Sequence, residues 1–349
     1  MAPTNPLPLW LSRTQTASYQ KSIQRTLQQR ENTRAVVRSL YLRGEEPPQE
    51  IPRQLFDYYS IAVGCNEPGQ NRYADIQSYD RTLVTQRYLN ASWCLERFGH
   101  KWWIASQAPL PASAHCFLSL IRQPITLPVP TTQSAPPTRV RTVVQLTQFM
   151  EGGRRKAHSY FPTVVGQSAV HFPEPGYSGA ALRATLVESV EIADACCIKS
   201  TVSISSEGNE SNPVTFHHLF YTAWPDHGVP KPEDQAKLLA FLRLVDTTNR
   251  QSSSQDPDPP IIVGCSAGVG RTGTFIAISS LLRAHGFLPA ATFPSMLSLS
   301  SPLGPLPPAF DDDLVGQEVD LLREQRPSMV QRPSQLELIY LLLESAFVQ

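Results

Sequence analysis

Apolar positions recur along this 349-residue chain with two periods, one typical of helices and one typical of strands. A weak helical period between polar ends predicts a helical lead-in over residues 1–50. Runs rich in β-branched residues predict three neighbouring strands in a meander: 182–192, 198–204 and 215–221. Amphipathic spacing predicts three later helices: 232–245, 314–324 and 335–346. The chain is therefore expected to fold as a mixture of α and β elements.

Around residue 265 a strand pattern is followed, after a short loop, by a helix pattern. The apolar run Ile261–Val263 leads through Gly264 to Cys265. After a glycine-bearing loop, a helical apolar pattern begins at Arg271 and ends at Gly286. A loop between a buried strand and a helix N-terminus directs several backbone N–H groups at one point, where the helix dipole adds partial positive charge. This order of elements therefore predicts a binding site for a phosphate-sized anion.

Residue types within this loop favour a nucleophile beside an anion site. Gly268 and Gly270 allow backbone angles closed to other residues, so consecutive amides can converge on one point. Arg271 adds a planar guanidinium that matches two phosphate oxygens. The same positive field favours a thiolate over a thiol. We therefore expect the pKa of Cys265 to be lowered and its sulfur to act as a nucleophile.

The residues from Cys265 to Gly273, C-S-A-G-V-G-R-T-G, resemble the signature H-C-S-x-G-x-G-R-S/T-G of the phosphotyrosine-specific protein tyrosine phosphatases. Only Gly264 departs, standing where the family has histidine. The resemblance covers roughly residues 51–349 and implies one catalytic domain of a non-receptor enzyme. Its implied fold is α/β (α+β), a highly twisted mixed sheet flanked by helices, with the catalytic loop between a central strand and a helix N-terminus. Proline- and serine-rich stretches look like loops inserted into that domain: 124–138, 250–260 and 287–310.

Two further motifs, in the family's order, imply catalytic roles. The tripeptide W-P-D resembles the family's moving acid loop, so Asp226 is expected to donate a proton to the leaving tyrosine oxygen. Trp224 is expected to anchor that loop by burying its ring. Gln331 lies in a segment similar to the family's Q-T-x-x-Q loop and is expected to position the attacking water, with Gln335 in support.

Two other segments are expected to border the substrate. The segment N-R-Y-A-D resembles the family's N-R-Y-x-D wall, which implies that Tyr73 stacks on the phosphotyrosine ring and that Asp75 accepts hydrogen bonds from the substrate backbone. The uncharged Ala74 between them indicates a weak preference for acidic substrates. Glu151 and Lys156 match the family's E-x4-K loop and are expected to pair with each other near the acid loop.

Together these assignments imply catalysis through a phosphocysteine. Cys265 attacks phosphorus, Arg271 and the loop hold its oxygens, and Thr272 stabilises the departing thiolate. The loop residues expected to bind the phosphate are Ser266, Ala267, Gly268, Val269 and Gly270. No metal or cofactor is expected to take part. The expected substrates are phosphotyrosine-containing proteins in signal transduction.

Two alternatives stay open. Gly264 removes a histidine that would order the loop, which favours a catalytically weak pseudophosphatase that binds phosphotyrosine. A dual-specificity phosphatase is the milder alternative, disfavoured by Tyr73 and Asp75, which imply a deep pocket. We also expect the pKa of Cys265 to lie above that of relatives with histidine but below that of a free thiol. If the imidazole fits, Gly264→His should lower that pKa and speed turnover at about pH 6.

The composition of the chain indicates which partners and which cellular compartment to expect. The 30 basic and 30 acidic side chains cancel, and charged residues make up 17% of the chain against about 25% in typical soluble proteins, so neither nucleic acid nor a membrane surface is an expected partner. The six cysteines show no metal-ligand or disulfide spacing, and a nucleophilic thiolate needs a reducing compartment. We therefore expect a cytoplasmic protein, also compatible with the nucleus, without signal peptide or membrane span. Oligomeric state stays open.

Overall fold

The computed structural model describes residues 6–61, 69–85, 87–128, 137–225, 228–253, 255–292, 297 and 299–348. The helices in these ranges are α1 (Leu9–Arg13), α2 (Ala17–Arg43), α3 (Arg53–Tyr58), α4 (Ala114–Arg122), α5 (Pro232–Gln251), α6 (Gly270–Ala284), α7 (Leu314–Gln325) and α8 (Pro333–Val348). The strands are β1 (Ala91–Leu95), β2 (Trp102–Gln107), β3 (Thr142–Gln145), β4 (Met150–Glu151), β5 (Arg154–Arg155), β6 (Ser168–His171), β7 (Leu182–Ile192), β8 (Cys197–Ser206), β9 (Asn209–Tyr221) and β10 (Ile261–Cys265). None of the described helices is long and apolar enough to cross a bilayer.

Eight strands form one mixed sheet, in the order β1-β2-β10-β3-β9-β8-β7-β6. Four neighbouring strands, β2, β10, β3 and β9, run parallel to one another. The outer strands pair antiparallel, and β7, β8 and β9 form the meander that the sequence predicts. Helices flank the sheet, so the expected α/β fold with a mixed sheet is confirmed. The remaining pair, β4 and β5, forms a separate hairpin.

The strand that carries Cys265 lies near the middle of the sheet and is buried on both faces. Ile261 and Val263 belong to the core that includes α5 and α6, whereas Ile262 belongs to the core that includes α4. A parallel strand covered on both faces needs apolar residues at every position, which explains the unbroken apolar run before Cys265. On the α6 side, Phe275 meets the ring of Trp103 edge-on at 5.9 Å between centroids.

The first 50 residues are helical, as predicted, and they pack on the rest of the chain. Leu27 of α2 is buried in the main core. Arg34, also on α2, is fully buried and pairs with Asp320 at 2.7 Å and with Glu324, both on α7. Because unpaired buried charges are costly, these ion pairs fix α2 against α7. The domain boundary at residue 50 stays a prediction.

The three proline-rich stretches differ in how they join the fold. Helix α5 continues to Gln251, so the prediction that 250–260 is a linker throughout is wrong at its start. The stretch 287–310 is tied to the main core by three buried apolar side chains: Leu288, Leu306 and Phe310. An isolated antiparallel bridge closes the base of the stretch 124–138, and the middle of that stretch lies outside the described residues.

Candidate active site

Residues 265–271 run from the end of β10 into the first turn of α6 and are here called the cradle loop. Gly268 has a φ of 71°, a left-handed conformation that other residues rarely adopt. A Cβ at Gly268 would lie 2.2 Å from the carbonyl oxygen of Ser106 on β2, so no side chain fits there. The Ala108 amide donates to the carbonyl oxygens of Cys265 and of the residue after it, at 3.0 and 3.1 Å. Glycine at 268 and the contact with β2 together set the tight curve of the loop.

A buried arginine holds the cradle loop from behind. Arg326 follows α7, is fully buried, and donates to the carbonyl oxygens of Gly268 at 2.7 Å and Ala267 at 3.0 Å. Asn90 Oδ1 accepts a further bond from Arg326 at 2.7 Å. These contacts draw the carbonyl groups of the loop toward Arg326, which favours N–H groups directed to the opposite side. Sequence reasoning missed Arg326, since no local pattern separates it from a solvated arginine at a helix end.

Cys265 lies at the base of a cleft, with its side chain almost fully buried. Burial alone would raise the pKa of its thiol. The charge of Arg271, the hydroxyl of Thr272 and the amides of Thr272 and Val269 outweigh burial, so the pKa of Cys265 is lowered. The Thr272 hydroxyl reaches no partner with normal hydrogen-bond geometry among the described atoms, so Arg271 is the stronger influence. The direction agrees with the expectation from the sequence and favours a nucleophilic thiolate.

Arg271 is held by a carboxylate that the sequence assigned to another partner. Its Nη1 and Nη2 atoms lie 2.6 and 2.8 Å from the two carboxylate oxygens of Glu151, a bidentate pair. The expected pairing of Glu151 with Lys156 is therefore wrong. In the β4–β5 hairpin the Lys156 amide bonds to Phe149 at 2.9 Å, while Glu151 turns inward to the arginine. Lys156 still borders the cleft, and its carbonyl accepts a hydrogen bond from Ser266 Oγ at 2.9 Å.

The predicted wall residues stand at the cleft. The hydroxyl of Tyr73 lies 2.8 Å from Ser266 Oγ, so its ring is fixed beside the cradle loop. Asp75 is exposed at the rim of the cleft. The backbone of Arg72 is held by Gln107 Oε1, which accepts from its N–H at 2.9 Å. The hydrogen bond between Tyr73 and the loop was not foreseen from the sequence, because it joins two segments far apart in the chain.

The structure describes the two expected glutamines fully but the acid loop only in part. Gln331 and Gln335 both line the cleft, from the side where α8 begins. Trp224 is buried, and its Nε1 donates to the carbonyl of Gly228 at 3.1 Å, which clasps the two ends of the acid loop. Asp226 itself lies outside the described residues. Its expected position as the proton donor therefore stays a prediction.

One cleft of about 740 Å³ collects most of the predicted side chains. The predicted residues that line it are Tyr73, Asp75, Lys156, Cys265, Ser266, Ala267, Val269, Gly270, Arg271, Gln331 and Gln335. Arg154 and Arg155 also line it, and sequence reasoning did not single them out. The described residues contain no group of three or more His, Cys, Asp or Glu side chains placed to hold a metal ion. The arrangement brings together a thiolate, an anion cradle and room for a substrate side chain.

Gly264, the one departure from the signature, is closely packed. It pairs with Ser106 on β2 and with Gln145 on β3. A Cβ at Gly264 would lie 2.8 Å from the Ser106 carbonyl oxygen, the same atom that approaches Gly268. The strand therefore has no room for the first side-chain carbon unless the backbone moves. This contact contradicts the condition on which the Gly264→His expectation depended.

Comparison with known proteins gives one family. The sequence model of the family described as "Protein-tyrosine phosphatase" matches residues 67–286. Receptor-type tyrosine-protein phosphatase S of Gallus gallus is 31% identical over 66% of this chain and 14% of its own length. Receptor-type tyrosine-protein phosphatase H of Homo sapiens is 32% identical over 79% of this chain and 21% of its own length. Receptor-type tyrosine-protein phosphatase eta of Mus musculus is 32% identical over 64% of this chain and 16% of its own length. The chain spans less than a quarter of the length of these relatives.

Proposed function

This chain belongs to the protein-tyrosine phosphatase family, and on that premise we propose that it is an enzyme that hydrolyses phosphotyrosine in proteins. The observation that carries the proposal is Cys265, a buried thiol with a lowered pKa at the base of the cleft. It stands beside Arg271 and at the N-terminus of α6, where a phosphate dianion is stabilised. A nucleophile and an anion site thus share one loop.

In the proposed first step, the Cys265 thiolate forms a bond to phosphorus and the bond from phosphorus to the tyrosine oxygen breaks. Asp226 gives a proton to the leaving oxygen. Arg271 and the amides of the cradle loop hold the three non-bridging oxygens. Tyr73 packs against the phenyl ring of the substrate, and Asp75 accepts N–H groups of its backbone.

In the proposed second step, water attacks the phosphocysteine and the sulfur–phosphorus bond breaks, which releases inorganic phosphate. Gln331, supported by Gln335, positions the water, and Asp226 accepts its proton. The Thr272 hydroxyl stabilises the departing thiolate. Supporting roles fall to Glu151, which orients Arg271, to Lys156, and to Trp224, which anchors the acid loop.

We further propose that residues 51–349 form one catalytic domain, of a non-receptor enzyme that acts on phosphotyrosine-containing signalling proteins in the cytoplasm or nucleus. The need of a thiolate for a reducing compartment supports this location. The curated relatives named above are receptor-type, so the assignment needs its own test. Fractionation of cells that express the native gene should place the protein in the soluble fraction. Retention in membranes after an alkaline wash would contradict the non-receptor assignment.

The test of activity compares the wild type with Cys265→Ser on p-nitrophenyl phosphate and on phosphotyrosine peptides. We expect turnover by the wild type and none by the variant, which keeps the cradle and should still bind the peptides. Cys116→Ser, which alters a buried cysteine on α4, is the matched control and should stay active. Binding without turnover by the wild type would favour the pseudophosphatase. Comparable turnover of phosphoserine and phosphothreonine peptides would favour a dual-specificity enzyme.

A further inference from the structure

The rim of the cleft carries positive charge that the proposed mechanism does not use. The described lining residues include one carboxylate, Asp75, and six cations. The mechanism uses Arg271 and Lys156; the other four are Arg72, Arg154, Arg155 and Arg332. The Glu151 carboxylate pairs with Arg271 from behind. In the described part of the chain, Arg154 and Arg155 are exposed and make no ion pair or side-chain hydrogen bond. Both arginines therefore line the space where the substrate must enter, and neither has a charge partner among the described residues.

The hairpin that carries these two arginines is fixed to the cradle loop at both ends. At one end Glu151 holds Arg271, and at the other the Lys156 carbonyl accepts a hydrogen bond from Ser266 Oγ at 2.9 Å. Its turn consists of Gly152–Gly153, whose φ values of 55° and 72° suit a tight two-residue connection. The backbone that carries the two arginines is thus fixed relative to the phosphate site, as it would not be on a long loop.

The arginines stand close to the cradle. Consecutive Cα atoms are about 3.8 Å apart, so the backbones of Arg154 and Arg155 lie within about 12 Å of the Ser266 hydroxyl. The charge of Arg155 also reaches Arg72, which lines the cleft from the wall segment. Burial is the main reason that the pKa of Arg72 is lowered, and the positive charge of Arg155 lowers it further. The cleft therefore contains a positive field beside the phosphate site.

We propose that Arg154 and Arg155 form a second anion subsite, which binds a carboxylate or phosphate on a residue next to the phosphotyrosine of the substrate. This inference rests on the proposed function and names its substrate class: acidic or doubly phosphorylated peptide segments. Ala74 alone indicates a weak preference for acidic substrates, whereas this proposal predicts a clear preference. The positive charge comes from the hairpin instead of the wall that contains Ala74. A peptide fits better than a soluble polyphosphate, because the exposed Asp75 can accept peptide N–H groups but repels additional phosphates.

The kinetic test uses phosphotyrosine peptides that differ only in flanking residues. Paired glutamates are placed before or after the phosphotyrosine and compared with paired glutamines. We expect the wild type to favour one glutamate peptide about fivefold in kcat/KM, as two partly screened ion pairs would give. The preference should appear in KM, with kcat little changed, and should weaken at about 0.5 M salt. Equal kcat/KM for all four peptides would overturn the proposal.

The variant test removes the two charges. Arg154→Gln with Arg155→Gln should bring the ratio of glutamate to glutamine peptides close to one. The matched control is Arg25→Gln with Arg243→Gln, which removes two exposed charges on α2 and α5, outside the cleft. The control should keep the preference of the wild type. Loss of the preference in both double variants would mean that net charge, not a subsite, causes it, and the proposal would be wrong.

A binding measurement separates this inference from the proposed function. Fluorescence anisotropy with the Cys265→Ser variant reports peptide affinity without turnover, so it can be read even if the protein proves inactive. The glutamate peptide should bind more tightly in this background, and the two hairpin substitutions should abolish the difference. Tighter binding of inositol hexakisphosphate than of any peptide would show that the arginines serve a polyphosphate, and would also overturn the proposal.

Discussion

Replacing Gly264 by alanine should damage both the stability and the activity of the protein. The added Cβ would lie 2.8 Å from the Ser106 carbonyl oxygen, whereas ordinary van der Waals contact begins near 3.4 Å. The φ of Gly264 is not in the left-handed region, so this contact is the sole cost at that position. Strands on both sides hold β10, and the Leu146 amide bonds to the Gly264 carbonyl at 2.8 Å. The strand can relieve the contact only by shifting, and Cys265 follows directly.

The size of both effects can be worked out from this geometry. Overpacking of a close-packed interior costs about 1–3 kcal/mol in the free energy of unfolding. Relief needs a movement of about half an ångström, and a misplacement of about 1 Å can cost about 100-fold in rate, so kcat should fall about tenfold. Since the same Cβ begins every larger side chain, Gly264→His should also lose activity. The gain in turnover expected from the sequence should not appear.

Urea denaturation and steady-state kinetics measure the two effects on Gly264→Ala separately. The control is Gly44→Ala at the end of α2, where φ is 67° and no atom lies within 4 Å of the added Cβ. Its backbone strain should cost roughly 1 kcal/mol of stability without lowering kcat. If Gly264→Ala unfolds at the wild-type urea concentration and turns over at the wild-type rate, the steric argument is refuted.

Two further predictions concern buried carboxylates. Glu151→Gln should lower kcat/KM about tenfold, since Arg271 loses a charge-assisted pair, while the exposed Glu50→Gln should have no effect; equal values would contradict the orienting role. Burial raises the pKa of Glu318 to about 8, although the Ser280 hydroxyl donates to it. The folded state therefore retains a proton that the unfolded state releases above about pH 4.5, and the free energy of unfolding should fall as pH rises toward about 8, by up to about 1.4 kcal/mol per unit. Denaturation across that range should show a flatter profile for Glu318→Gln, and an unchanged slope would exclude Glu318 as the cause.

The cradle loop could be predicted from the sequence because its determinants are local. An apolar strand, two glycines and a helical pattern occur within about twenty residues, and each constrains its own stretch of backbone. The meander is similar, since its strands follow one another and pair with their neighbours. In both cases the residues that specify the structure lie next to those that adopt it.

Side-chain pairings across the fold could not be predicted, because they depend on which segments meet. Glu151 was matched with Lys156, five positions away, yet its partner Arg271 is 120 positions away. Arg326 bonds to Asn90 across 236 positions, and nothing in its neighbours marks it as buried. An arginine has the same side chain whether it is solvated on a surface or buried in a core. Only the packing of α7 behind the cradle loop decides that Arg326 is buried.

The charges around the cradle loop indicate which groups hold the substrate phosphate. Arg271 and Arg326 bring two positive charges, and Glu151 with the Cys265 thiolate brings two negative ones, so these four groups nearly balance before substrate enters. A phosphate dianion therefore depends on the loop amides and the N-terminus of α6 for the remaining attraction. That attraction requires amides that converge, and their direction is set by the tight turn at Gly268 and by Arg326 pulling on the loop carbonyls. The same balance gives the hairpin arginines their importance, because they add positive charge that no described carboxylate cancels.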